Sequence, residues 1–136
     1  MKKYKHIILI DDNEIDNYIN EHVVKKANVA ETVTVKNSAE DALKYLGSLH
    51  DNFPEIIFLD IRMPIMDGFG FLQRFESFAD ENKSGCHIFM LSSSNDNNDI
   101  SMAQQNPYVK NYLNKPLDIK KLELIFSGKN TDFAID

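Results

Sequence analysis

The sequence predicts an α/β fold of a single domain, a parallel sheet covered by helices on both faces. Three observations carry this. Ile7 to Ile10, Ile56 to Leu59 and Ile88 to Leu91 are each four continuous apolar residues, as strands buried on both faces require. Segments with helical spacing separate them, and the alternation repeats five times in 136 residues, about 27 per unit, the length of a βα unit. Finally, 43% hydrophobic and 26% charged residues suffice for one buried core and fit neither disorder nor a membrane protein.

Taken in order, Ile7 to Ile10 is the first strand, and Ile15, Ile19 and Val23 give the first helix an apolar stripe at four-residue spacing. Thr32 to Lys36 mixes polar and apolar positions, which suits an edge strand. Asn37 and Ser38 then open a helix with Ala39, Ala42, Leu43 and Leu46 on one face, Glu40 or Asp41 completing the start signal. After the third strand, Phe71, Leu72, Phe75 and Phe78 mark the third helix. Asn97 to Asn106 is a polar fourth helix with Ile100, Met102 and Ala103 as its apolar residues, ended by Pro107. Val109 to Asn114 is the second edge strand, and Asp118 starts a last helix carrying Leu122, Ile125 and Phe126. Residues 128–136 hold Phe133 and Ile135 without a pattern and are expected to be irregular or disordered.

Charge and cysteine content narrow the functions. With 15 Lys plus Arg against 21 Asp plus Glu the net charge is −6, which disfavours a phosphate backbone, so no direct nucleic-acid partner is expected. Cys86 stands alone, without disulfide partner or zinc spacing, and is assigned no role. The basic start, Met1 to His6, precedes only four apolar residues, too few for a signal peptide, and no run of about 20 apolar residues could span a bilayer. A cytoplasmic protein with no membrane insertion is the expectation. His6, His22, His50 and His87 read as surface residues.

In open parallel sheets ligands sit beyond the carboxyl ends of the strands. There the sequence places Asp11 and Asp12 after the first strand, Asp60 after the third, Ser92 after the fourth, and Lys115 with Pro116 after the fifth. Strands about 4.8 Å apart bring these into one pocket. Carboxylates about 5 Å apart repel by about 3 kcal/mol at an effective dielectric near 20, so positive charge has to offset them. A hard divalent cation such as Mg²⁺ does so with oxygen ligands and keeps positions for phosphate oxygens, while Lys115 supplies a second positive charge. A carboxylate can attack phosphorus to form an acyl phosphate, so the chemistry suggested is phosphoryl transfer onto an aspartate. A Gly-rich phosphate loop is absent after the first strand, where Asp11 to Glu14 would repel a pyrophosphate, so a flavin or nucleotide role fits poorly.

In their order and spacing, Asp11 and Asp12, the run from Leu59 to Gly68 (LDIRMPIMDG), Ser92 and Lys115 with Pro116 resemble the receiver domain of two-component response regulators, from about Lys5 to Ser127. The resemblance implies a flavodoxin-like (βα)5 three-layer sandwich with strand order 2-1-3-4-5, a receiver domain over 1–127 and a tail over 128–136. It implies that Asp60 is the phosphoacceptor, that Asp11, Asp12, Asp60 and the backbone carbonyl of Arg62 bind the metal, and that Mn²⁺ or Ca²⁺ can substitute for Mg²⁺. Lys115 would bind phosphate ahead of a cis bond to Pro116, with Ser92 the switch hydroxyl and Tyr112 a switch aromatic that swings inward. Arg62 and Ser94 would tune the lifetime of the phosphoryl group.

By the same resemblance the partners are a histidine kinase or histidine phosphotransfer protein upstream and an effector protein downstream. The effector would meet the face made by the fourth predicted helix, the fifth strand and the last helix, and a phosphorylation-dependent dimer is a further form of output. Such a protein is a phosphoacceptor and not an enzyme with a released product. Two other readings remain at this point. A haloacid-dehalogenase-like phosphohydrolase would need a second acid two residues after the nucleophile, where this chain has Arg62. A binding module that is never phosphorylated would be marked by loss of Asp60 or Lys115, and both are present.

Overall fold

The three apolar runs become the centre of a five-stranded parallel sheet in the computed structural model, which describes residues 3–127 and 132–135. The strands are β1 (Tyr4–Ile10), β2 (Ala30–Lys36), β3 (Ile56–Asp60), β4 (His87–Ser92) and β5 (Val109–Asn114), in the order β2-β1-β3-β4-β5 that the resemblance implies. Period-two alternation divides the central strands between two cores. Ile8, Ile10, Ile57, Leu59, Ile88 and Met90 face one side, whereas Ile7, Leu9, Ile56, Phe58, Phe89 and Leu91 face the other.

Among the described residues six helices flank the sheet: α1 (Glu14–Ala27), α2 (Ala39–Ser48), α3 (Gly68–Phe75), α4 (Asp80–Lys83), α5 (Asn97–Gln105) and α6 (Ile119–Phe126). Ala42 and Leu46 of α2, Phe71 and Phe75 of α3 and Ala103 of α5 pack into the first core. Val24 of α1 with Leu122 and Phe126 of α6 packs into the second. Starts follow the expected chemistry, with Ser38 Oγ accepting from the Asp41 amide and Asp118 Oδ1 from the Lys121 amide. The single turn α4 is an addition to the predicted elements, so the predicted fourth and last helices are α5 and α6.

One expectation fails for an identifiable reason. The stripe of Ile15, Ile19 and Val23 is not the main buried face of α1: Ile15 and Ile19 are exposed and only the half-buried Val23 packs against the core, whereas Asn17, Asn20 and Val24 are buried. Asn17 turns inward because its Nδ2 donates to the Asp11 carbonyl at 2.7 Å and to Asn37 Oδ1 at 3.1 Å, a polar anchor that outweighs the apolar stripe. The tail forms no helix or strand among its described residues, yet part of it is held in place by hydrogen bonds. Residues 128–131 and 136 lie outside the described residues, but 132–135 run along the free edge of β5. There Ile135 donates to the Tyr112 carbonyl at 2.7 Å and accepts from the Asn114 amide at 2.9 Å. An edge strand offers unpaired amides and carbonyls, and this segment satisfies some of them. Asn111 clamps it, with Oδ1 accepting from the Ala134 amide at 2.7 Å and Nδ2 donating to the Asp132 carbonyl at 3.2 Å.

Asn111→Ala removes both side-chain bonds to residues 132–135. At about 0.7 kcal/mol per bond, hydrogen exchange of the Asn114 amide should accelerate about tenfold, with amides of β1 and β3 unchanged. Unaltered exchange at Asn114 would show that the clamp does not hold the segment.

Candidate functional site

Parallel register places the carboxyl ends of β1, β3, β4 and β5 side by side: Ile10 pairs with Leu59, Asp60 with Leu91, and Ser92 with Asn114. The residues that terminate these strands therefore converge. Carboxylate oxygens of Asp11, Asp12 and Asp60 lie within 4.8 Å of one another, with Asp11 and Asp60 buried and Asp12 exposed. Lys115 reaches in from the β5–α6 loop, its ammonium 2.8 Å from Asp11 Oδ2 and 3.1 Å from Asp60 Oδ1. Its own amide donates to the Ser92 carbonyl at 2.8 Å, and the bond to Pro116 is cis, as the resemblance implies.

Local bonds fix each of these groups. Asp11 Oδ1 accepts from the Asn13 amide at 2.9 Å, and Asn13 in turn caps α1 through the Ile15 and Asp16 amides. Lys121 is buried against the loop that carries Lys115, donating to the Asn114 and Pro116 carbonyls at 2.7 and 2.8 Å. On the β3 side, Gly68 opens α3 so close to the strand end that a Cβ there would stand 2.7 Å from the Asp60 carbonyl oxygen and 3.0 Å from Ile61 Cα. Only glycine permits that approach.

Ser92 is buried, its Oγ accepting from the Ser94 amide at 3.0 Å. Tyr112 is 1% exposed, already turned inward, and its hydroxyl donates to the Ser94 carbonyl at 2.8 Å. The Arg62 side chain pairs with Asp99 on α5. Thus Asp11, Asp12, Asp60 and Lys115 share one pocket, Ser92 borders it, Tyr112 connects to it through Ser94, and the Arg62 side chain points to α5. Three contributors were not foreseen: Asp16, whose Oδ2 is 2.9 Å from the Lys115 ammonium, Asn17 and Lys121. The signal for Asp16 was its place in the first turn of the helix that follows Asp11 and Asp12.

Electrostatically the pocket is under-compensated, with four carboxylates (Asp11, Asp12, Asp16 and Asp60) around one ammonium. Burial, and then the charge of Asp11, push the Asp60 carboxyl from its ordinary 3.8 up to about 6, although Lys115 pulls the other way. The three carboxylates of Asp11, Asp12 and Asp60 suit a hard divalent cation, since they supply only oxygen donors and carry charge that the protein leaves unbalanced.

The site and fold define a class of phosphoacceptor signalling domain, and comparison with known proteins agrees. The model of the response regulator receiver domain matches residues 7–126, and the chain belongs to that family. Aspartyl phosphate and Mg²⁺ held by an acidic cluster are characteristic of its members. A two-component response regulator from Cytophaga hutchinsonii is 28% identical, with a TM-score of 0.86 over 93% of this chain and 96% of that one. A response regulator receiver protein from Dyadobacter fermentans is 30% identical, with a TM-score of 0.82 over 90% and 95% of the two chains. The protein-glutamate methylesterase/protein-glutamine glutaminase 2 of Pseudomonas syringae pv. tomato is 31% identical over 71 residues, 52% of this chain. This chain spans only 19% of that relative's length. No described helix is long and apolar enough to cross a membrane.

Because the folded-state pKa of Asp60 is raised, its ionised form disfavours the metal-free fold above about 6, and stability returns as pH falls through 6 toward 3.8. Without divalent cations at pH 7, Asp60→Asn should therefore be more stable than wild type by on the order of 1–3 kcal/mol in urea unfolding. That difference should close by about pH 4. A variant less stable than wild type at pH 7 would contradict this charge balance.

Proposed function

We propose that this protein accepts a phosphoryl group on Asp60 from a phosphohistidine of a histidine kinase or phosphotransfer protein, in a Mg²⁺-dependent reaction, and passes the signal to a partner protein by conformational change. The observation that carries this reading is the Lys115 ammonium lying 3.1 Å from Asp60, beside the Asp11 and Asp12 carboxylates. An Asp60 carboxylate oxygen attacks phosphorus and forms an O–P bond. The P–N bond to the donor imidazole breaks, and its electron pair returns to the imidazole nitrogen. Lys115 orients and neutralises the incoming phosphoryl oxygens, and Asp11 and Asp12, with the carbonyl of Arg62, would hold the metal. Bound there, Mg²⁺ supplies charge stabilisation for the phosphoryl oxygens.

Beside the pocket, α1 presents Ile15, Tyr18, Ile19 and His22 to solvent, with Ile15 at 70% and Tyr18 at 72% exposure. Ile65 stands 94% exposed on the β3–α3 loop in a turn closed by the Met66 amide and the Pro64 carbonyl. Such apolar side chains suit a protein phosphodonor that must bring its histidine to Asp60. On the other side, a phosphoryl group on Asp60 adds about 1.5 to 2 negative charges. It competes for the Ser92 hydroxyl and so disturbs the bonds that run from Ser92 through Ser94 to Tyr112. That differential interaction is what a shift between two conformations requires, with α5, β5 and α6 as the output face.

Intact-protein mass after incubation with acetyl phosphate should show one phosphoryl addition that needs Mg²⁺, is lost in EDTA and is absent from Asp60→Asn. Addition to Asp60→Asn at the wild-type rate would reject Asp60 as acceptor. Lys115→Ala should still bind Mg²⁺ yet show no change of amide chemical shifts around Tyr112 after phosphodonor treatment, and a wild-type shift pattern there would remove Lys115 from the switch.

A further inference from the structure

An ammonium has three N–H donors. In Lys115 two of them are donated to carboxylates, to Asp11 Oδ2 at 2.8 Å and Asp16 Oδ2 at 2.9 Å, and Asp60 Oδ1 forms an ion pair with the ammonium at 3.1 Å. Three carboxylates crowd the ammonium, so a phosphoryl oxygen reaches it most directly where one of these acceptors gives way. Asp11 is poorly placed to do so, because its side chain is 2% exposed, its other oxygen holds the Asn13 amide and its carbonyl holds Asn17. Asp60 is the group being modified. Asp16 has a side chain 34% exposed and lies outside the group of carboxylates that can share a cation, so its release into water is the least costly.

We propose that Asp16 is a positioning residue that competes with the phosphoryl group for Lys115, and thereby restrains how fast the pocket takes up phosphoryl charge. This rests on the phosphoacceptor reading of Asp60. Asp16 tethers the ammonium to the first turn of α1 in the unmodified protein. Transfer to Asp60 requires that tether to open, and Lys115 turns from Asp16 to the phosphoryl oxygen. Asp16→Asn weakens the tether, frees a donor and removes one negative charge facing an anionic phosphodonor, so all three consequences favour uptake. A first-turn acid also interacts with the amide ends of its own helix. That role does not involve Lys115, and this separates the two.

The test is a double-mutant cycle, read as the rate of phosphoryl addition from acetyl phosphate with Mg²⁺ by intact mass, on wild type, Asp16→Asn, Lys115→Ala and the double variant. Asp16→Asn should label about two- to fivefold faster than wild type, the range of a partly exposed ion pair, and should lose most of that advantage in the Lys115→Ala background, where only the change in net charge remains. Asp16→Glu should label close to the wild-type rate. The ¹⁵N signal of the Lys115 ammonium, recorded without phosphodonor, should shift and its protons exchange faster in Asp16→Asn. An equal rate ratio in both backgrounds, or an unchanged ammonium signal, would overturn the competition while leaving Asp60 as acceptor. No labelling of wild type would overturn the phosphoacceptor reading, and the competition with it.

Discussion

Everything at the pocket depends on one ammonium among carboxylates. Asp11 and Asp60 are buried side by side, and at such separations like charges cost on the order of 3 kcal/mol when the effective dielectric is near 20. Lys115 offsets part of this and leaves the remainder: the Asp60 carboxyl stays pushed up to about 6. The residual negative charge is a functional resource. It gives a divalent cation a reason to bind there, and it makes the unmodified pocket sensitive to any change in charge, which is the property a phosphoacceptor needs.

The fold's contribution is to hold that unfavourable arrangement rigid. Two apolar cores, one on each face of the sheet, fix the registers that align Asp60 with Leu91 and Ser92 with Asn114. Around the strand ends, polar anchors do the finer positioning: Asn17 on the Asp11 carbonyl, Lys121 on both sides of Lys115, and Gly68 allowing α3 to close against Asp60. Buried side chains tied to backbone carbonyls in this way are hard to displace, so relaxation of the charged cluster by simple spreading is resisted.

From the pocket, two connections lead to the proposed output face. One is the hydrogen-bonded series from Ser92 through Ser94 to the Tyr112 hydroxyl, and the other is the Arg62 pair with Asp99 on α5. Tyr112 also bears the tail, since its carbonyl accepts from Ile135. The side chain that faces the pocket loop and the backbone that carries residues 132–135 thus belong to one residue. The family match and the similar solved structures establish the receiver class, while the donor and the recipient of the signal stay within the proposed function.

The sequence by itself determined the layered α/β class, the five strands and the set of strand-end residues, because continuous apolar runs and the polar residues that stop them are local features. Asp11, Asp12, Asp60, Ser92 and Lys115 were legible for that reason. Tertiary structure decided what local pattern cannot hold. Hydrophobic spacing pointed to Ile15, Ile19 and Val23 as the inward face of α1, yet the Asp11 carbonyl drew Asn17 inward and left Ile15 and Ile19 facing solvent, with Val23 half-buried. The tail has no periodicity, and only the presence of a free β5 edge and of Asn111 gave residues 132–135 a place. Asp16 went unremarked in the sequence, and only the fold brought Lys115, 99 residues later, to within hydrogen-bond reach of it. Burial and long-range charge are properties of the assembled chain, so these assignments could come from nowhere else.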